Sequence, residues 1–189
     1  ETQFELMDLQ QTLGLTFVVV THDQEEAMTM ADRIAILDKG VLQQVGEPAD
    51  LDDYPVNSFV ATFVGTTNLM PGRVRGRTAR SVTLAVESVG ELEFPVDADS
   101  TNSINLSASL RPHTLCLDAS DSSRDARYIW LPGVVEGSEF LGEATRYRVK
   151  VGKFTLCVDQ PHFGGLSKFQ QGSQVGIGLE PGQVRLLAS

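Results

Sequence analysis

From Asn68 onward the chain consists of short runs in which apolar and polar residues alternate, with glycine or proline between the runs. In residues 145–151, for example, three basic side chains alternate with apolar or aromatic ones. Because successive side chains of a strand point to opposite faces, such runs predict strands with one buried and one wet face. Many short strands separated by turn residues are typical of barrels and sandwiches, so residues 66–189 are predicted to form an all-β domain.

The individual strands of this domain are predicted from the same alternation. Five of them are expected at 81–86, 91–96, 104–111, 143–151 and 175–179, and two more at 114–118 and 153–158. The last two contain Cys116 and Cys157, which are too few for a disulfide framework and are expected to be buried, reduced thiols of a cytosolic protein. Five aromatic residues are spaced as core residues: Tyr128, Trp130, Phe140, Tyr147 and Phe154.

Two sequence patterns recur in this part of the chain in the same order. Pro71-Gly72-x-Val74-x-Gly76 returns 61 positions later as Pro132-Gly133-x-Val135-x-Gly137. Leu110-x-Pro112-x-x-Leu115-x-Leu117 returns 69 positions later as Leu179-x-Pro181-x-x-Val184-x-Leu186. The difference between the offsets fits an insertion at 161–168 in the second copy. The patterns predict tandem β repeats at about 68–119 and 130–189, joined by a polar linker at 119–127, which form separate barrels or interleave their strands.

The first 65 residues differ from the rest in charge. They hold twelve acidic residues against Arg33 and Lys39, and so they account for the whole net charge of −10. A chain with this balance lacks the basic surface that nucleic acid or anionic lipid requires, so neither is expected as a partner. The step in charge predicts two domains, 1–65 and 66–189.

Both helical and strand patterns occur in residues 1–65. Leucine spacing predicts a helix over 1–13, and a β-branched run predicts a parallel strand at 16–20 that is apolar on both faces. Asp23, with Glu26 three residues later, is typical of a helix start. This places His22 on a strand-to-helix turn, where α/β proteins bind ligands. A hairpin at 34–45 and short helices at 48–53 and 58–64 complete the predicted elements.

These elements are too few to cover a parallel strand on both faces, so the segment is predicted to be the end of an α/β domain whose beginning is missing. Four sequence segments in this part of the chain resemble those of a known family: VTHDQEEAM (20–28), ADRIAILDKG (31–40), QVGEP (44–48) and NSFVATFVG (57–65). In this order and spacing they resemble the ATP-binding subunits of ABC importers. The resemblance implies that residues 1–65 are the C-terminal remnant of a P-loop NTPase α/β domain, which with the β domain gives an α+β chain.

The resemblance also implies a role for His22. In that family the histidine at this position contacts the γ-phosphate of ATP, and an imidazole suits this role because it donates a hydrogen bond to developing phosphoryl charge. ATP and Mg²⁺ are therefore implied as cofactors of the intact parent. The family's phosphate loop, signature and Walker B segments do not occur in this sequence. The chain alone is expected to bind no cofactor and to hydrolyse no ATP, and the missing segments are expected before Glu1.

The β-rich part resembles the TOBE domain, an OB-like barrel that follows the ATPase domain in many ABC importers. Leu-Arg-Pro at 110–112 is similar to that domain's Arg-Pro-Glu motif, but His113 replaces the acid and leaves its contact open. Residues 96–99 and the Gly46-Glu47-Pro48 variant are most similar to putrescine-type importers, with iron(III) and sulfate types as alternatives. The resemblance implies a homodimer, permease subunits as partners, indirect contact with a solute-binding protein, and a place on the inner face of the bacterial cell membrane.

Two functional classes stay open for the chain as a whole. In the first it is part of an ATP-driven import subunit, with a dimerising or regulatory barrel. In the second it is a stand-alone module whose barrel binds a small oxyanion or polyamine. No metal is expected in either, because His22, His113 and His162 are isolated from one another and from the cysteines.

Overall fold

The computed structural model describes residues 2–95, 103–119, 124–162 and 169–188. The chain divides into two compact units, Glu1–Gly65 and Thr66–Ser189, and each unit has a hydrophobic core of its own. Residues 96–99, most of the predicted insertion at 161–168 and the middle of the linker at 119–127 lie outside the described residues. Among the helices that are described, none has the length and apolar character needed to cross a bilayer.

The first unit contains four helices and one hairpin. Lys39 and Gly40 have φ angles of 49° and 80°, which give the tight turn that joins the two antiparallel strands of the hairpin. The structure confirms the predicted helices and the hairpin. Their bounds are α1 Thr2–Leu13, α2 Gln24–Met30, β1 Ile34–Asp38, β2 Val41–Gly46, α3 Pro48–Asp53 and α4 Ser58–Val64.

Polar side chains cap two of these helices. Asp23 Oδ1 accepts a hydrogen bond of 3.1 Å from the Glu26 N–H at the start of α2. Asn57 Oδ1 accepts one of 2.9 Å from the Val60 N–H at the start of α4. Such caps pair N–H groups that have no partner within a helix. A small core of Ile36, Leu51 and Val60 then holds the hairpin against α3 and α4.

The parallel strand predicted at 16–20 is wrong for this structure. Residues 15–20 form no strand, and the side chains of Val18 and Val20 are 88% and 94% exposed. A strand exists only when a neighbouring strand satisfies its backbone N–H and C=O groups, and in the described part of this unit the two strands pair with each other. The apolar stripe of α1 is also exposed: Leu6, Leu9 and Leu13.

The described residues of the second unit form ten antiparallel strands and two short 3₁₀ turns. The structure confirms all seven predicted strands to within a few residues, apart from residue 96, which is not described. The bounds are β3 Asn68–Arg77, β4 Ser81–Val86, β5 Gly90–Pro95, β6 Asn105–Leu110, β7 Leu115–Ala119, β8 Ile129–Phe140, β9 Ala144–Val151, β10 Phe154–Pro161, β11 Gln174–Leu179 and β12 Arg185–Ala188. The first 3₁₀ turn is Pro112–Thr114 and the second is Pro181–Gln183.

These strands form two five-stranded sheets with the same pattern of neighbours. One sheet has the order β12-β6-β3-β4-β5 and the other the order β10-β9-β8-β11-β7. The second sheet is therefore one continuous stretch of chain, which lies between β6 and β12 of the first. The short outer strands β12 and β7 occupy equivalent places. In the first sheet Leu186 of β12 pairs with Ala108 of β6, and in the second Leu117 of β7 pairs with Ile177 of β11.

A single core cluster fills this unit, and it includes Tyr147 with Phe154 packed at its margin. The prediction that all five aromatic residues are core residues is wrong for the other three. Phe140 is 62% exposed, and Tyr128 and Trp130 lie half-buried outside the cluster. Alternation alone cannot tell the inner face of a strand from an outer face that a neighbouring segment covers.

Two contacts outside the strand ladders tie distant parts of this unit together. The Asn68 side chain on β3 donates to the Cys157 carbonyl on β10 at 2.8 Å and accepts from the Cys157 N–H at 2.7 Å. The turn after β9 meets the turn after β4, where the Lys153 N–H donates to Ser88 Oγ at 2.8 Å. An ion pair of Lys153 with Glu87 accompanies this contact.

Candidate functional site

His22 lies on a bend directly before α2. The Asp23 N–H donates to Thr21 Oγ1 at 3.0 Å, and Asp23 in turn caps the helix, so the residues on both sides of His22 fix the bend. The imidazole is exposed and makes no hydrogen bond with any residue that the structure describes. It is therefore available to a ligand, although the strand that was predicted to precede it does not form.

The second candidate is a pocket of about 510 Å³ in the β unit. It is a largely open cleft where the two 3₁₀ turns approach the edge strands β7 and β10. Polar side chains from four separate elements converge on it. The lining is His113, Thr114, Leu115, Cys116, Tyr128, Asp159, Gln160, Pro161, Glu180 and Gln183.

The two carboxylates of this pocket differ in their partners. Asp159 is held by Arg146 through two hydrogen bonds, Nε to Oδ1 at 2.7 Å and Nη2 to Oδ2 at 2.8 Å. This hydrogen-bonded carboxylate raises the pKa of the Arg146 guanidinium, so Arg146 stays cationic. The Glu180 side chain is exposed, and no described residue donates a hydrogen bond to it.

An aromatic layer lies beside the pocket on the outer face of β11. The Trp130 ring approaches Gly176 and Gly178, whose missing side chains leave room for it. The Trp130 Nε1–H donates to the Asp125 carbonyl at 2.9 Å. The centroids of the Tyr128 and Trp130 rings are 5.8 Å apart. The two glycines of β11 are thus covered on the outer face by the Trp130 ring.

Cys116 is the nucleophilic group of the pocket. Burial raises the pKa of its thiol, and the Sγ–H donates to the Gly178 carbonyl at 3.7 Å. We therefore expect Cys116 to react with iodoacetamide more slowly than a free thiol at neutral pH and to speed up only as the pH rises beyond the usual thiol range. Mass spectrometry of the Cys157→Ser variant, which isolates Cys116, measures this rate. Labelling at the rate of a free thiol at neutral pH would contradict the expectation.

The three histidines have different surroundings. His113 lines the pocket, and the His162 ring meets the Phe140 ring edge-on with centroids 5.1 Å apart. Within residues 2–95, 103–119, 124–162 and 169–188, no group of three or more His, Cys, Asp or Glu side chains is arranged to hold a metal ion.

The pocket residues were not found from the sequence. The sequence singled out His113 as a departure from a family motif, Cys116 as a buried thiol and Tyr128 as a core residue, but it did not place them in one site. The signal was present in the two Leu-x-Pro patterns, because each places a 3₁₀ turn directly after the strand that is second from the edge of its sheet. What the sequence did not indicate is that β10 would bring Asp159 and Gln160 to the first of these turns.

Comparisons with known proteins bear on both candidate sites. Residues 108–187 match the family model of the TOBE domain. The two ends of this match lie on β6 and β12, which are neighbours in one sheet.

Curated relatives match nearly the whole chain. It is 35% identical over 184 residues to the spermidine/putrescine import ATP-binding protein PotA of Ruegeria pomeroyi, which covers 96% of this chain and 48% of that protein. The PotA of Pseudomonas fluorescens is 33% identical, covering 96% and 49%. The maltose/maltodextrin import ATP-binding protein MalK of Photorhabdus laumondii is 33% identical, covering 98% and 49%. The chain spans about half the length of these relatives.

A solved structure resembles the β unit in fold. The cytoplasmic molybdate-binding protein ModG, in a crystal form with molybdate bound, has a TM-score of 0.53 and 18% identity, and the match covers 63% of this chain and 94% of ModG. At this identity the likeness concerns the fold alone. The resemblance carried by the four sequence blocks is thus confirmed: residues 108–187 match the TOBE domain model, and the chain is similar over nearly its full length to ATP-binding subunits of ABC importers.

Proposed function

We propose that this chain is the C-terminal part of the ATP-binding subunit of an importer, and that the whole subunit couples ATP hydrolysis to solute uptake. The observation that carries the proposal is the match to PotA and MalK proteins over 96% or more of the chain, which includes both units. A TOBE domain alone would not favour this function, because the first 65 residues lie outside that family match.

His22 is proposed as the side chain that contacts the γ-phosphate of ATP in the whole subunit. Its position within VTHDQEEAM, its exposure, and the capped bend that holds it support this role. ATP and Mg²⁺ are the proposed cofactors, with the phosphate loop and the metal ligands supplied by the other half of the subunit. His22 would donate a hydrogen bond to the phosphoryl oxygens as charge develops on them.

The exposed apolar residues of the first unit support the same proposal. Val18 and Val20 have almost no cover, and an apolar run of this kind is stable in water only when another element or chain covers it. We propose that 16–20 is a strand of the completed ATPase domain and that residues 1–65 are the end of that domain. Permease subunits at the inner face of the cell membrane, a homodimeric partner and, indirectly, a solute-binding protein complete the proposed assembly.

For residues 66–189 we propose two tandem repeats with exchanged outer strands. The register of β3 with β4 shifts between Val74 and Gly76, and that of β8 with β9 shifts between Val135 and Gly137. Gly72 and Gly133 face a core side chain of the next strand in the same way, Leu84 and Val149. Each repeat would then end in a strand, β7 or β12, that pairs in the sheet of the other. The barrel would serve dimerisation or regulation.

A second candidate function is ligand sensing by the barrel. The pocket of about 510 Å³ between the 3₁₀ turns favours it, and so does the likeness in fold to ModG, a molybdate-binding protein. The two candidates are compatible, since a ligand in the barrel could regulate the import subunit that carries it.

Replacement of His22 tests the first proposal. In the complete subunit we expect His22→Ala to lower the ATPase rate about tenfold to a hundredfold, because one donor to the developing phosphoryl charge is lost. Phosphate release by the purified subunit with its permease measures this rate. His162→Ala is the matched control, since this imidazole contacts Phe140 in the β unit, and its rate should stay at the wild-type level. Equal rates for the two variants would remove His22 from the proposed site.

A further inference from the structure

The direction of the His22 ring depends on the backbone around it. The imidazole is exposed, and it makes no hydrogen bond with any residue that the structure describes. Because no described neighbour fixes the ring, the backbone of residues 21–23 sets the direction in which the side chain leaves the chain. This direction matters for the role proposed above, since a hydrogen-bond donor assists a reaction only when it points at the position where charge develops.

Three hydrogen bonds of Asp23 hold this backbone. The Asp23 N–H donates to Thr21 Oγ1 at 3.0 Å and so joins the residues on either side of His22. The Asp23 carboxylate accepts from the Glu26 N–H at 3.1 Å, and the Asp23 carbonyl accepts from the Ala27 N–H at 3.2 Å. The last two bonds fix residue 23 at the start of α2. Asp23 therefore connects the bend at His22 to the helix.

The capping bond of Asp23 does not require a negative charge. Asparagine and serine cap helices about as well as aspartate, because each offers one oxygen to an N–H of the first helical turn. A carboxylate beside a bound phosphate would instead repel it, since the two charges have the same sign. The two properties of the side chain can be separated by substitution. Asp23→Asn keeps the acceptor and removes the charge, whereas Asp23→Ala removes both.

We propose that Asp23 is a positioning residue for His22. Its cap on α2 and its N–H bond to Thr21 hold the bend from which the imidazole reaches the γ-phosphate. Asp23 acts through the direction of the His22 ring and does not itself touch the nucleotide. Its side chain serves as a hydrogen-bond acceptor, and its charge is not needed. The proposal rests on the role proposed for His22 and adds to it the residue that sets the direction of the ring.

Phosphate release by the complete subunit with its permease tests this role. We expect Asp23→Ala to lower kcat about threefold to tenfold, because a loosened bend spreads the ring over several directions. Asp23→Asn should keep kcat within about twofold of the wild-type value, because the cap is retained. In a His22→Ala background, Asp23→Ala should lower the rate no further, since a residue that acts only through His22 has nothing left to position.

Asn57→Ala is the matched control. Asn57 caps α4 through a 2.9 Å hydrogen bond from the Val60 N–H, so this variant loses the same kind of cap at a helix that carries no candidate site residue. We expect its thermal unfolding midpoint to fall about as far as that of Asp23→Ala, while its kcat stays at the wild-type value. The pair thus separates the loss of a helix cap from the loss of a position.

Three results would overturn the proposal: a kcat of Asp23→Asn as low as that of Asp23→Ala, a wild-type kcat for Asp23→Ala, or a further loss of rate when Asp23→Ala is added to His22→Ala. If Asp23→Ala does not assemble with the permease, Thr21→Val decides the question. It keeps the β-branched shape and removes the Oγ1 acceptor, so its kcat should also fall, and a wild-type kcat would overturn the proposal.

Failure of the proposed function gives a different pattern. If His22→Ala keeps the wild-type rate, the role of His22 is wrong and the positioning role of Asp23 is overturned with it. If His22→Ala is slow and Asp23→Ala is not, only the positioning role is overturned, and His22 keeps its place in the proposed site.

Discussion

Replacing Gly152 by alanine is expected to destabilise the β unit by about 3 kcal/mol. Gly152 lies in the turn between β9 and β10 with φ of +55°, and a Cβ there would lie 2.4 Å from the Ser88 carbonyl oxygen and 2.5 Å from Ser88 Oγ. The first distance is to backbone, so relief requires the two turns to move apart. That movement would also break the 2.8 Å hydrogen bond from the Lys153 N–H to Ser88 Oγ.

Gly142→Ala is the matched control for this effect. Gly142 also has a positive φ, +89°, but a Cβ there would meet no described atom within 4 Å. It should cost about 1 kcal/mol, which is the backbone penalty alone. Urea unfolding of both variants, followed by the fluorescence of Trp130, measures the difference. If the two variants lose the same stability, the contact between the turns does not hold the two sheets together.

The second large effect is expected for Asn68→Ala, at about 3 kcal/mol. Asn68 is only 6% exposed, and its side chain makes hydrogen bonds to both the N–H and the carbonyl of Cys157 and to the Leu110 carbonyl at 3.2 Å. It therefore takes the place of a neighbouring strand for one residue of β10. Alanine leaves the two Cys157 groups without these partners, and each group then bears its desolvation cost.

Hydrogen exchange gives the most specific readout of this change. The Cys157 amide proton should exchange many times faster in Asn68→Ala, and the unfolding midpoint in urea should fall. Asn105→Ala is the control, because Asn105 is exposed on β6 and has no side-chain hydrogen bond with the described residues; it should change neither quantity. Unchanged protection of the Cys157 amide would mean that β10 is held by β9 alone.

Local patterns were sufficient to predict most elements of the fold. Alternation in 81–86 and 143–151 and the Asp38-Lys39-Gly40 turn each depend on residues close in sequence, and the structure has strands and a hairpin at these places. The strand at 16–20 was wrong because a parallel strand depends on partners from elsewhere in the chain, and the described residues provide none. Propensity can indicate an extended segment but does not supply its neighbours.

The site was less predictable than the fold. His22 was selected through a family resemblance, and its role is still a prediction. The pocket depends on the approach of β10 to the first 3₁₀ turn, and on the pairing of Arg146 with Asp159 across β9 and β10. Neither follows from spacing along the chain. Phe140 shows the same limit, because its strand pattern fits a core position and yet it lies exposed near a hairpin tip.

The position of β12 has a consequence for the order in which the β unit can be completed during synthesis. The sheet that begins first, with β3 at Asn68, receives its outer strand only from Arg185–Ala188. The sheet that begins later, with β7, has all five of its strands once Leu179 has left the ribosome. One edge of β6 in the first sheet therefore stays unpaired until β12 has been synthesised, which happens after all the strands of the second sheet.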